Sequence, residues 1–280
     1  MKLSVSNIAW DVEQDLQIAE LLTRHGVSYI DIAPGKYFKD VQATTDLEIS
    51  QVKNKWLDLG ISCAGMQSLL FGTKGLNLFD KSTQEPMLMH LEKICHIGAV
   101  LGATKLVFGS PKNRDRSNLS DDDARDIALD FFQCLGNIAK CEGVIINLEA
   151  NPTCYGTNFL TNTQEAAEFV RLLNHPAIRL QLDLGTVYTN HEDLDMLLKH
   201  SATIIGHIHL SEPQMAPLSA SDEEHDIVGR SLTEAIRNHK LNTNIASVEM
   251  LTNQASDEFE QLRQLSKAIV ISRTLYGIQA

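Results

Sequence analysis

The stretch VIINLEANPTCYGTNFLTNTQEAAEFVRLLNHPAIRLQLDL, from Val144 to Leu184, decides the fold. It opens on a β-type run, Val144 to Asn151, crosses a polar connection, enters an amphipathic helix-type segment from Thr163 to Asn174, and ends in a second β-type run, Ile178 to Leu184. Two strands joined through a helix are the unit of a parallel sheet. The unit repeats in both directions. Further β-type runs lie at Leu3 to Ile8, Ser28 to Ala33, Ile61 to Gln67, Lys105 to Ser110, Ile204 to Leu210 and Ile245 to Met250. Helix-type segments separate or follow them at Asp11 to His25, Asp46 to Leu59, Thr83 to Leu101, Asp121 to Cys141, Glu192 to His200, Glu223 to His239 and Ser256 to Leu275. Eight strands in strict alternation with eight helices predict an α/β chain folded as a single (β/α)8 TIM barrel over residues 1–280. The same alternation disfavours an open doubly wound sheet, and the lack of a GxGxxG or GxxxxGK[ST] phosphate loop after any strand weakens a nucleotide-binding reading.

Composition narrows the partners. In 280 residues, Lys plus Arg number 24 and Asp plus Glu 36, a net charge of −12. A chain this acidic repels nucleic acid and anionic membrane surfaces, so neither is expected as a partner. The opening MKLSVSNIAW lacks the basic and apolar regions of a signal peptide, and no stretch reaches the ~18 apolar residues of a spanning helix. A cytoplasmic protein is expected. The five cysteines are an odd number without CxxC spacing, which argues against a disulfide framework or a thiolate zinc site and reads as small buried or half-buried thiols.

Strands of a parallel barrel are covered on both faces and usually read as continuous apolar runs. The last four break that rule. Asn147, Glu149 and Asn151 alternate with Ile146, Leu148 and Ala150; Gln181 and Asp183 alternate with Leu180, Leu182 and Leu184. His207, His209 and Ser211 alternate with Ile208 and Leu210, and Ser247 and Glu249 with Val248 and Met250. If the apolar set packs on the helices, the polar set points into the barrel. Glu149, Asp183, His209 and Glu249 then fall near the C-terminal rim, where this architecture builds its active sites. Three carboxylates and an imidazole make a mixed oxygen and nitrogen site for one divalent ion, Mn²⁺, Co²⁺, Mg²⁺ or Zn²⁺.

With NLEAN around Glu149, QLDLG around Asp183, GHIHLSEP around His209 and SVEM around Glu249, the chain resembles the xylose isomerase-like sugar isomerase/epimerase superfamily. The opening SNIAW and the segment FGSPKNR at Phe108 to Arg114 support the resemblance. It implies one divalent metal held by Glu149, Asp183, His209 and Glu249, with Glu149 and Glu249 also serving as the catalytic acid/base pair. The expected activity is that of a metal-dependent isomerase or epimerase moving protons through an enediolate on a small sugar or sugar phosphate. Two alternatives stay open: a lyase of the inosose dehydratase type, and a silent metal- or sugar-binding barrel. Homo-oligomerisation is left open too. The chain departs from the ketose 3-epimerases where it carries Thr186 for a His, Met215 for an Arg and Tyr155 for a Glu.

Asn7, Gln67, Asn151 and Tyr155 end or follow strands and are expected to contact a sugar, though each reads equally as core or loop, as do Trp10, Asp31 and Phe71. In the loop after strand four, Lys112, Arg114 and Arg116 form a cationic group from which Arg114 is the candidate clamp for an anionic substrate. The rival reading is a solvated loop whose cations pair with Asp115 and Asp121 to Asp123. His225 reads as a surface residue at a helix start, and His207 as a hydrogen-bonding residue one layer below His209.

Overall fold

Every β-type run of the sequence becomes a strand in the computed structural model, which describes residues 1–280 except 221, 253, 279 and 280. The strands are β1 (Lys2–Ser6), β2 (Tyr29–Ile32), β3 (Ser62–Met66), β4 (Lys105–Phe108), β5 (Ile145–Glu149), β6 (Ile178–Asp183), β7 (Ile205–Ser211) and β8 (Ile245–Glu249). They pair in parallel in chain order, and β8 closes on β1 to make an eight-stranded barrel.

The helices are α1 (Asp15–Arg24), α2 (Asp46–Asp58), α3 (Lys81–Leu101), α4 (Asp121–Glu142), α5 (Thr163–Leu173), α6 (Leu184–Asn190), α7 (Leu194–Ser201), α8 (Glu223–Arg237) and α9 (Glu258–Thr274). Most begin where a short polar side chain caps the first turn. Thr45, Asp80, Ser120, Asn162, Asp193, Asp222 and Asp257 each accept a backbone N–H of the helix that follows. The alternation is therefore imperfect by one element. α6 begins on the residue after β6, and Asp183 itself caps it by accepting the Thr186 N–H at 2.6 Å.

The apolar set of β5 to β8 packs against the helices as its period requires. Ile146, Leu148, Leu180, Leu182, Ile208, Leu210, Val248 and Met250 are all buried in one continuous core. Among the described residues no helix is long and apolar enough to cross a membrane.

Candidate metal centre

The polar set points into the barrel. Asn147, Gln181, His207, His209 and Ser247 are buried, and the register places Asp183 beside His209 and Ser211 beside Glu249. At or near the ends of their strands Glu149, Asp183, His209 and Glu249 offer ligand atoms that all lie within 4.8 Å of one another. His209 Nδ1 is 3.0 Å from Glu249 Oε2, 3.3 Å from Glu149 Oε1 and 3.9 Å from Asp183 Oδ2.

Neighbours hold each carboxylate from the outside. Asp183 takes the Thr186 N–H on Oδ1 and the Ser211 hydroxyl on Oδ2 at 2.7 Å. Gln67 donates its amide to Glu249 Oε1 at 2.5 Å, and Asn151 donates to Glu149 Oε2 at 3.1 Å. Gly109, just past β4, leaves room here, since a Cβ at that position would collide with Glu149 Oε2 and turn that carboxylate aside. Two of the atoms that face the common centre are left over: Glu149 Oε1 and His209 Nδ1 are buried without a hydrogen-bond partner. The short contacts to Nδ1 lie off the line a hydrogen bond needs. Ligand atoms of mixed oxygen and nitrogen character converging from four strands, those of Glu149 and His209 orphaned, fit a divalent cation.

Electrostatics point the same way. Burial, reinforced by the charges of Glu149 and Glu249, pushes the Asp183 carboxyl up to about 7. Burial opposes a charged His209, yet the Glu249 and Glu149 carboxylates hold its pKa well above the imidazole range. Without a cation the centre therefore keeps protons that a metal must displace. Affinity is expected to climb with pH through about 7, where Asp183 ionises, and to go on climbing as His209 loses its proton. Calorimetric titration with Mn²⁺ at pH 6 and pH 8 checks this: more protons released per ion at pH 6 and tighter binding at pH 8 are expected, and pH-independent affinity contradicts it.

A cavity of about 390 Å³ opens over the three carboxylates of the set, Glu149, Asp183 and Glu249. Gln67, Asn151 and Tyr155 lie on its wall, together with Thr186 and Met215. Glu149, Asp183, Glu212 and Glu249 also line it, and no Lys or Arg among the described residues does so.

A family model described as xylose isomerase-like TIM barrel matches residues 19–269. The chain belongs to that family. No curated protein matches it in sequence. Among solved structures it is similar to D-psicose 3-epimerase with D-tagatose from Clostridium cellulolyticum H10, at 15% identity over 99% of each chain with a TM-score of 0.78. It is also similar to apo 3-keto-D-glucoside 4-epimerase YcjR from E. coli, at 16% identity over 96% of this chain and 99% of that one, TM-score 0.73. A third likeness is to an IOLI protein with a bound zinc atom, at 17% identity over 99% of this chain and 100% of that one, TM-score 0.71. At these identities the likeness is one of fold.

Within this xylose isomerase-like barrel several side chains sit elsewhere than the sequence suggests. Arg114 is not an exposed anion clamp. It is fully buried off the cavity wall, donating to the Glu149 carbonyl at 2.8 Å and to Asn151 Oδ1 at 2.6 Å. Burial lowers its pKa to about 10, against the pull of the Glu149 and Glu165 charges, so it stays cationic at neutral pH. Its neighbour Arg116 pairs with Asp121, as the solvated-loop reading expects. Asn7 is likewise corrected, being buried away from the cavity with Oδ1 accepting the Ala33 N–H at 2.7 Å. Trp10 donates to Asp15 inside the core, and Phe71 is 83% exposed outside the cavity.

His225 stands at the start of α8 but is buried, with Nδ1 at 2.6 Å from Asp222 and Nε2 at 3.0 Å from Glu212. His207 is the buried second-layer residue expected, its Nε2 2.6 Å from Asp31 Oδ2, while Ser4 donates to Asp31 Oδ1 at 2.7 Å. Cys63 and Cys95 are buried, whereas Cys134, Cys141 and Cys154 are exposed. The supporting parts that sequence reasoning missed are Ser211 as a donor to Asp183, Glu212 on the cavity wall, and Gly109. Only Ser211 left a signal, as the next inward position after His209.

Proposed function

We propose that this chain is a divalent-metal-dependent sugar isomerase or epimerase that moves a proton on a small, unphosphorylated carbohydrate through an enediolate. The observation that carries the reading is the convergence of Glu149, Asp183, His209 and Glu249 on one point, with the three carboxylates lining a sugar-sized cavity. Sugar epimerases among the structural relatives support it. A bound Mn²⁺, Co²⁺, Mg²⁺ or Zn²⁺ supplies the Lewis acidity that makes a hydrogen beside a carbonyl removable. Glu149 and Glu249 approach the centre from β5 and β8, each turning one oxygen toward it, Oε1 and Oε2, and their carboxylates are the groups able to take or return a proton. Gln67 and Asn151 hold the opposite oxygens.

The absence of phosphate from the substrate follows from charge. Four carboxylates against one divalent ion leave the wall acidic, and no Lys or Arg among the described residues lines it. Where the ketose 3-epimerases carry His, Arg and Glu, this cavity presents Thr186, Met215 and Tyr155. The substrate is held through hydroxyls and apolar contact.

Incubating the Mn²⁺-loaded protein in D₂O with ketoses, aldoses, inososes and their phosphates tests the reading. One unphosphorylated ketose or aldose is expected to gain carbon-bound deuterium at unchanged skeleton. Loss of one water from an inosose identifies a dehydratase instead, exchange confined to phosphates removes the charge argument, and no exchange on any compound leaves a binding barrel.

A further inference from the structure

Arg114 presents a problem that the four ligands do not solve. A guanidinium taken fully out of water is costly unless it is paired, yet Arg114 makes no ion pair within 4 Å among the described residues. Its two terminal nitrogens instead hold two neutral oxygens, the backbone carbonyl of Glu149 and Oδ1 of Asn151. An apolar side chain of similar size would fill the space at lower cost, so stability alone is a poor reason for the residue.

What the contact does is geometric. A carboxamide has one acceptor end and one donor end, and its flip state is set by its partners. With Oδ1 captured by Arg114, the Asn151 amide has to turn Nδ2 the other way, where it donates to Glu149 Oε2 at 3.1 Å and to the Ala150 carbonyl at 2.9 Å. Oε2 is thereby fixed against Asn151, and Oε1 faces His209 Nδ1 at 3.3 Å. Arg114 thus grips Glu149 at both ends, directly at its carbonyl and through Asn151 at its carboxylate.

We propose that Arg114 is a positioning residue for the metal centre, acting through Asn151 to decide which oxygen of Glu149 faces the other ligands. This rests on the metal-centre reading above.

The test titrates Mn²⁺ and Co²⁺ into the wild-type chain, Asn151→Ala, Arg114→Met and the double variant, following affinity and the Co²⁺ absorption spectrum, with thermal unfolding of the metal-free proteins alongside. Each single variant is expected to lose about 10- to 100-fold in affinity with a changed Co²⁺ spectrum, the usual effect of removing an outer partner of a ligand. The double variant is expected to fall no further than the worse single, since both break one chain of contacts. Should Arg114→Met fail to fold, Arg114→Lys keeps the charge without the two-pronged grip and is expected to show the same loss. Unchanged affinity in Asn151→Ala, or losses that simply add, would overturn the proposal. A wild-type chain that takes up no metal would overturn the centre itself and this step with it.

Discussion

Replacing Glu149 or Glu249 by Gln is expected to slow hydrogen exchange on the true substrate by about 10²- to 10⁴-fold, the range that a positioned acid or base contributes. Glutamine keeps the length and one carbonyl oxygen of each side chain but takes no proton at neutral pH. The loss should fall mainly on kcat, with substrate binding affected less. Both residues have to matter if one removes the proton and the other returns it. The hydrogen bond from Gln67 to Glu249 Oε1 and that from Asn151 to Glu149 Oε2 are compatible with an amide oxygen in the same place, so the variants should fold. Measuring exchange at saturating metal separates lost proton transfer from weakened coordination. Should either variant retain most of the wild-type rate, that glutamate is a ligand alone and the two-base scheme is wrong.

The other large effect is expected on the ligands that carry no proton chemistry. Asp183→Ala and His209→Ala should each weaken metal uptake by at least about 100-fold, because outer partners alone are worth 10- to 100-fold and these are direct donors. His209 is the sharper case. It is fully buried and its Nδ1 lies within 4 Å of three carboxylates, so its removal leaves those carboxylates facing one another. Elemental analysis of the purified variants, beside a wild type expected to hold close to one ion per chain, reads the result. Wild-type metal content in His209→Ala would move the site elsewhere.

The ligands were legible because a barrel strand has only two sides. Once Ile146, Leu148, Leu180 and Leu182 are assigned to the helix-facing side, the residues between them have nowhere to point but inward, and the rim position on each strand follows. Three things did not follow. LGTVYTN after Asp183 is rich in residues that favour strands or loops, and α6 exists because the Asp183 side chain caps its first turn. Arg114 sits among Lys112, Asp115 and Arg116, a composition that reads as solvated loop. Its burial comes from contacts 35 and 37 residues further along the chain, which no local pattern contains. His225 misleads in the same way, since a helix-start position is commonly exposed and its burial against Glu212 and Tyr188 arises only when α8 docks.

Gly109 contributes no metal ligand and no charge, yet Glu149 holds its present place because no methyl group stands there. The recipe for the centre therefore contains a residue whose whole contribution is to be small. A search for chains of like chemistry that asks only for the letters Glu, Asp, His and Glu at the ends of four strands will also gather barrels in which a bulkier neighbour turns the first glutamate aside. In such a barrel the first glutamate has to carry its carboxylate along another path to reach the other three. Adding the fifth letter, a glycine at the end of the fourth strand, divides one group from the other.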